Sequence, residues 1–230
     1  MPNPSLLICD SDVLVQFFLA GELRPLRDLR RLYGVQPAIV QEVDLELRWL
    51  GHYGARFVPQ LDKSLKAGLL TKLDKTLFQS LLGAAPPGAS WTGFQSLGAQ
   101  YLGYVDKGEA YSHAAGVVLG LPSASDDFRA IRVLQFQMQN LPSPVLRSFD
   151  LLGFALESGI LSSQDCEQVR SCLLKEGRWV HQAFKHASFA DGMANFHLRL
   201  RDASKAGSPV PHSPAGFSDP LFITRIHEPS

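Results

Sequence analysis

The chain has 230 residues, of which 45% are hydrophobic and 19% are charged, a composition typical of a soluble globular protein with one sizeable core. Its 22 basic and 22 acidic side chains cancel, which excludes a global electrostatic attraction to nucleic acid or to membrane surfaces. The three cysteines have no paired spacing, which excludes a disulfide scaffold and a cysteine-based zinc site.

The N-terminal segment predicts a strand and two helices. The apolar run from Leu6 to Cys9 is short and ends at an acid, which favours a buried strand. Residues 12–20 and 24–33 have helical patterns that separate near Gly21. Acids interrupt the first apolar stretch, so it is a poor signal peptide, and no apolar run approaches the ~20 residues that span a bilayer. We therefore expect a cytoplasmic protein that makes no membrane contact.

The middle of the chain predicts short strands between longer helices. A very short strand is expected around Val35, followed by a helix from Ala38 to Leu50, and "ARFVPQL" is interpreted as another short strand. Leucine at every fourth position predicts one helix over 62–82. The Gly, Pro and Ser content of 83–95 indicates a loop.

The C-terminal part predicts further helices and then a tail. Residues 107–119 have a helical pattern, and "LGLPSASDD" is a weak strand that leads into a helix over 127–140. "PSPVLRSFD" predicts a strand and a turn. Three more helices are expected near 150–158, 162–175 and 177–187. Residues 191–230 are rich in proline and lack periodicity, which indicates an extended or disordered tail. Strands that alternate with helices predict an α/β domain over 1–190 with a mainly parallel sheet.

Acids recur where predicted strands end and helices begin. They are Asp10, Glu42, Glu109, Asp126 and Asp127. Because ligands gather outside the carboxyl ends of parallel strands, we expect these side chains to converge at one edge of the sheet. Carboxylates that crowd together cannot all stay ionised without compensation, and Mg²⁺ or Mn²⁺ supplies it through oxygen ligands. The pattern predicts a metal site that assists phosphodiester hydrolysis.

Each acid also has a simpler interpretation when it is taken alone. An N-cap accounts for Asp10, a helix dipole for Asp12 and Glu109, a solvated helix face for Glu42, and a turn with a cap for Asp126 and Asp127. The functional hypothesis therefore depends on the whole set.

Several other residues are candidates for supporting roles. Ser11 is expected to cap the first helix. His113 lies one helical turn after Glu109, where it either supports the acidic site or is a buried structural histidine. Arg129 and Arg132 follow the last acids, where they either form a solvated face or bind substrate by steering a phosphate backbone.

The order of these motifs resembles the PIN-domain nucleases, particularly their bacterial toxin-like branch. The resembling segments are "LLICDSDVL", "PAIVQEV", "GEA", "SDDFRAIRVL" and "SFDLLGFALESGILSSQDCEQV". They extend from about Leu6 to Glu176, and residues 60–100 form a longer helical insert than the small toxins have.

The resemblance implies a three-layer α/β/α fold and cleavage of RNA at an acidic Mg²⁺ or Mn²⁺ site. The catalytic and metal-binding residues that it implies are Asp10, Glu42, Glu109 and Asp127, with Asp126 as neighbour or substitute. Ser125 is expected to orient the last carboxylate by a hydrogen bond. Besides RNA, the resemblance implies an antitoxin protein and a second copy of the chain as partners.

Two other functions stay open. A catalytically silent PIN-like module that binds RNA or a protein is favoured by the zero net charge and by Tyr111, where many relatives carry an acid. A D-x-D pair after a strand, here Asp10 and Asp12, is also typical of aspartate-nucleophile phosphatases, although the lysine that those enzymes need is not evident.

Overall fold

The computed structural model describes residues 5–49, 54–127, 129–131, 145–178 and 180–195, and the statements below concern these residues. The strands are β1 (Ser5–Cys9), β2 (Val35–Ile39), β3 (Thr71–Lys72), β4 (Ser123–Ala124) and β5 (Val145–Leu146). They form one sheet in the order β3-β2-β1-β4-β5, and every pairing is parallel. Helices flank the sheet, which confirms the predicted α/β class and its three layers.

Ten named helices accompany these strands in the described part of the chain. They are α1 (Ser11–Ala20), α2 (Arg24–Tyr33), α3 (Gln41–Trp49), α4 (Gly54–Lys66), α5 (Lys75–Leu81), α6 (Trp91–Tyr101), α7 (Lys107–Leu119), α8 (Ser148–Glu157), α9 (Ser163–Lys175) and α10 (Gln182–Lys185). Residues 129–131 and 189–195 are also helical. No described helix has both the length and the apolar character that crossing a membrane requires.

The central strand β1 is buried on both faces. Its residues Leu6 to Cys9 are at most 1% exposed, because helices cover both sides of the sheet. This burial explains why a continuous apolar run, and not an alternating one, marks the strand in the sequence. Directly after it, α1 places Phe17 and Phe18 in the same core.

The register of the sheet aligns the ends of three strands. Ile8 of β1 pairs with Ala38 of β2, and Cys9 pairs with Ala124 of β4. The next residue, Asp10, donates its backbone N–H to the carbonyl oxygen of Ala124 at 2.8 Å. The residues that follow β1, β2 and β4 therefore emerge at one level, at the same edge of the sheet.

Two predicted elements between residues 54 and 82 were wrong. "ARFVPQL" belongs to α4, in which Phe57, Leu61 and Ser64 are buried at helical spacing. The single helix predicted over 62–82 is divided by β3, because Gly68 has a left-handed φ of +66° and ends the helical path. A new helix, α5, begins after Asp74, whose carboxylate accepts the N–H of Leu77 at 2.8 Å.

Other boundaries differ from the predicted ones by a few residues or more. Pro37 does not start a helix but lies within β2, so α3 begins at Gln41 and not at Ala38. The predicted loop over 83–95 ends early, because Ser90 caps α6. Within 177–187 only α10 is helical. The helical residues 189–195 overlap the start of the predicted tail, and residues 196–230 lie outside the described residues, as does most of the helix predicted over 127–140.

Close packing of α6 on α7 gives a test of the fold. A Cβ atom at Gly98 of α6 would lie 2.6 Å from the ring of Tyr111 in α7. We expect Gly98→Ala to destabilise the protein by about 1–3 kcal/mol, because the buried ring must move out of its packing. Chemical denaturation measures this loss, and Gly83→Ala, where nothing lies within 4 Å of the new Cβ, is the matched control. Equal midpoints for the two variants would contradict the packing described here.

Candidate metal centre

Three acids bring their carboxylate oxygens together at the carboxyl edge of the sheet. Asp10, Asp12 and Glu109 each offer an oxygen, and these oxygens lie within 4.8 Å of one another. Two of the three, Asp10 and Glu109, were predicted. We call this group the three-acid cluster.

Asp10 lies at the centre of the cluster and is 1% exposed. It occupies the N-cap position of α1, yet its side chain makes no capping hydrogen bond, so the N-cap interpretation does not account for it. Its Oδ2 lies 3.5 Å from the donating hydroxyl of Ser125, and its buried Oδ1 has no hydrogen-bond partner. Burial and the carboxylates of Asp12 and Glu46 raise the pKa of Asp10 well above its ordinary value.

Glu109 reaches the cluster from the first turn of α7 and is 7% exposed. Burial raises the pKa of Glu109 to about 9, and the neighbouring Asp10 and Asp127 carboxylates add to this effect. Glu109 also shares a hydrogen bond with Asp127. Asp127 in turn accepts the N–H of Ala130 at 2.9 Å, so it both caps the helical residues that follow and contacts the cluster.

Asp12 was expected to serve only the dipole of α1, but it belongs to the cluster. Burial and the Asp126 carboxylate raise its pKa above the ordinary value. Arg178 opposes this shift through an ion pair of 3.0 Å to Oδ1 of Asp12. The D-x-D spacing, interpreted above only as a feature of aspartate-nucleophile phosphatases, could have identified this residue, because it places the second acid in the first turn of the helix after β1.

Glu46, and not Glu42, is the α3 acid with contacts to this region. Its Oε1 accepts the hydroxyl of Ser11 at 3.0 Å, and burial raises its pKa. Ser11 therefore holds a carboxylate and does not cap α1. A Cβ at Gly108 would clash with Oε2 of Glu46 and would lie 3.4 Å from Oδ1 of Asp10, so glycine leaves the room in which these acids meet. Glu42 is half-buried one turn earlier and is not part of the three-acid cluster.

Asp126 is neutralised by protein groups. Its Oδ1 is ion-paired with Nε of Arg147 at 3.2 Å and accepts the N–H of Ser148 at 3.1 Å. Its Oδ2 accepts the amide of Gln16 at 2.7 Å. Both oxygens thus serve an internal network that joins α1 to α8, and Asp126 is not among the three acids of the cluster.

The remaining predicted residues have other surroundings. Ser125 donates to Asp10, while its hydroxyl accepts the N–H of Asp127. His113 is fully buried 3.4 Å from the Ser123 hydroxyl, and burial lowers its pKa to about 4, so it is neutral and its burial favours the structural interpretation. Arg129 is exposed, and Arg132 lies outside the described residues. Tyr111 packs edge-on against Phe94, away from the acids.

The chemistry of the site follows from its uncompensated charge. The carboxylates repel one another in a region with little water, and a divalent cation relieves that repulsion while completing the hydrogen-bonding of Asp10. The residues present therefore fit a hard divalent cation with oxygen ligands. Comparison of the chain with protein-family models, with curated proteins and with solved structures finds no match.

The ion pair of Asp126 gives one prediction for stability. We expect Asp126→Asn to destabilise the protein by about 3–5 kcal/mol, because it removes the carboxylate that is ion-paired with the buried Arg147 guanidinium. Urea denaturation measures the loss. Asp28→Asn is the control, since Asp28 is also buried but its partner Arg27 is half exposed and can be solvated. A loss of stability no greater than that of Asp28→Asn would argue against a stabilising ion pair between Asp126 and Arg147.

The pKa of Glu109 gives a second prediction, for the metal-free protein. The folded state holds the proton up to about pH 9, whereas the unfolded chain releases it at an ordinary value near 4.5. The contribution of this carboxyl group to the free energy of unfolding is therefore fully present below pH 4.5. It is lost as the pH rises towards 9. We expect the melting temperature in EDTA to fall over this range, and Glu109→Gln to flatten the fall. Glu157→Gln, at an exposed position, controls for the loss of one carboxyl, and an unchanged slope in Glu109→Gln would be the contrary result.

Proposed function

We propose that this protein is a metal-dependent ribonuclease of the PIN-like type that hydrolyses phosphodiester bonds at the three-acid cluster. The observation that carries the proposal is Oδ1 of Asp10, a buried carboxylate oxygen without a hydrogen-bond partner in the middle of other acids. When ionised, such an atom is costly unless a cation binds it. The resemblance of the motif order to PIN-domain nucleases supports the choice of RNA as substrate.

The residues have separate tasks in this proposal. Asp10, Asp12 and Glu109 hold Mg²⁺ or Mn²⁺, which supplies charge neutralisation and an activated water for phosphodiester hydrolysis. Ser125 and Ser11 orient Asp10 and Glu46 by hydrogen bonds. Asp127 lies next to Glu109, and its carboxylate adds to the negative charge that the metal ion neutralises. The proposal takes RNA as the partner and does not depend on an antitoxin or on a homodimer.

A silent PIN-like module that binds RNA or protein is the second candidate. The ion pair between Arg178 and Asp12 favours it, because a guanidinium compensates one acid of the cluster without any metal. A phosphatase with Asp10 as nucleophile is disfavoured, because a carboxylate that is 1% exposed cannot attack a substrate in line.

Calorimetric titration with Mn²⁺ tests the proposal. We expect binding to the parent chain, its loss in Asp10→Asn, and weakening by about tenfold or more in Glu46→Gln, whose hydrogen bond to Ser11 positions it beside Asp10. Glu42→Gln makes the same chemical change one turn away and is expected to keep affinity within about twofold. Equal losses in the two glutamate variants would show that the α3 acids are wrongly assigned here.

Cleavage of a mixed RNA pool separates the two candidate functions. The nuclease requires cleavage that depends on Mn²⁺ and disappears in Asp10→Asn. A parent chain that binds no Mn²⁺ and leaves the RNA intact would favour the silent module and overturn the proposal.

A further inference from the structure

A second concave surface lies against the three-acid cluster. It is a cleft of about 750 Å³. Its described lining residues are Leu174, Gly177, Arg178, Val180, His181, Gln182, Lys185 and His186. They come from the end of α9, the turn after it and α10. Its volume is in the range of small-molecule sites, which suits one nucleotide and not a folded domain.

Arg178 joins this cleft to the cluster. One terminal nitrogen of its guanidinium is 3.0 Å from Oδ1 of Asp12, while the same residue forms part of the cleft wall. The cleft and the cluster therefore share a contact through this side chain. Arg178 is thus the residue that contacts both sites.

The charge of the cleft is opposite to that of the cluster. Arg178 and Lys185 are cationic, and none of the eight described lining residues is acidic. Lys185 is exposed at the end of α10, and no acid in the described ranges forms an ion pair with it. An exposed lysine that forms no ion pair in the described ranges, in a cleft without described acids, fits an anionic ligand.

The walls of the cleft are mainly apolar. Leu174 and Val180 supply aliphatic surface, and His181 supplies a ring. Single-stranded RNA is bound in this way, with its bases against aromatic or apolar side chains and its phosphates on cations. In a duplex the bases are stacked inside and cannot reach such walls.

We propose that this cleft binds one nucleotide of single-stranded RNA next to the bond that is cut, with the base against the apolar walls and the phosphate on Lys185 and Arg178. The inference rests on the proposed ribonuclease function for its choice of ligand. It adds to that function a binding surface outside the acidic cluster, formed by the end of α9, the turn after it and α10.

Fluorescence anisotropy with a labelled single-stranded RNA of mixed sequence tests the cleft. Binding is measured on the Glu109→Gln background, in which one cluster acid is replaced by a neutral isostere and the RNA is not consumed. We expect Lys185→Glu to weaken binding about tenfold at low salt and to reduce the slope of log affinity against log salt by about one, as loss of one phosphate contact requires. Lys185→Arg is expected to keep the parental affinity.

Lys66→Glu is the matched control. Lys66 is also an exposed lysine at the last position of a helix, and it precedes β3, so it lies towards the amino ends of the strands and away from the acids. It changes the net charge equally and is expected to alter the affinity by less than about twofold. Equal weakening of RNA binding in Lys66→Glu and Lys185→Glu, or no weakening in either variant, would overturn the proposal that the cleft binds RNA. Equal affinity for a duplex of the same sequence would also overturn it.

The outcomes also distinguish this inference from the ribonuclease proposal. A protein that binds Mn²⁺ and cleaves RNA but tolerates Lys185→Glu retains the nuclease function and loses the cleft. A protein that binds RNA through Lys185 but neither binds Mn²⁺ nor cleaves retains the cleft and is a silent module.

Discussion

Asp10 cannot move away from the acids beside it, because β1 is the central strand and its neighbours are bonded to it on both sides. The backbone N–H of Asp10 is itself tied to the carbonyl oxygen of Ala124 in β4. The apolar burial of β1 thus stabilises an arrangement that electrostatic repulsion opposes. Protein groups compensate the acids unequally, since Arg147 neutralises Asp126 fully while Asp10 receives one hydroxyl. The remaining deficit of positive charge is what makes the edge of this sheet a candidate metal centre.

The part of the site that could be predicted is the part that depends on strand ends. Asp10 directly follows β1, and Glu109 lies in the first turn of α7, and the sequence pattern defined the positions of both elements. The α3 acid could not be predicted in this way, because Glu42 and Glu46 share one helix face and differ by a single turn. The choice depends on α7, where Gly108 leaves room for Glu46. The sequence of α3 alone does not show which of the two glutamates lies near Asp10.

The fold was predictable to a similar degree and for a similar reason. Long apolar or periodic segments identified β1, α1, α2 and α7 within a residue or two. The strand β3 has only two residues, and its identity comes from pairing with β2 through Ala38 and Thr71, which is a tertiary contact. Of the leucines at every fourth position, Leu69 and Leu73 lie on either side of β3 and outside both helices, so the pattern alone predicted one helix where the chain forms three elements.

Although the net charge of the chain is zero, the three-acid cluster is locally negative and the cleft is locally positive. Buried acids attract a cation and repel RNA, so an acidic centre alone would be a poor place for a polyanion to bind. The cationic cleft removes this difficulty because it lies one side chain away, well within the ~8–10 Å over which salt leaves charges unscreened. Arg178 contacts both fields, since it is bonded to Asp12 and also forms part of the cleft wall. A cation in the cluster would compete with Arg178 for Asp12, and a guanidinium released from that carboxylate would be available to an incoming phosphate. In the proposed function, metal binding and RNA binding would be coupled through this one ion pair, and each would strengthen the other.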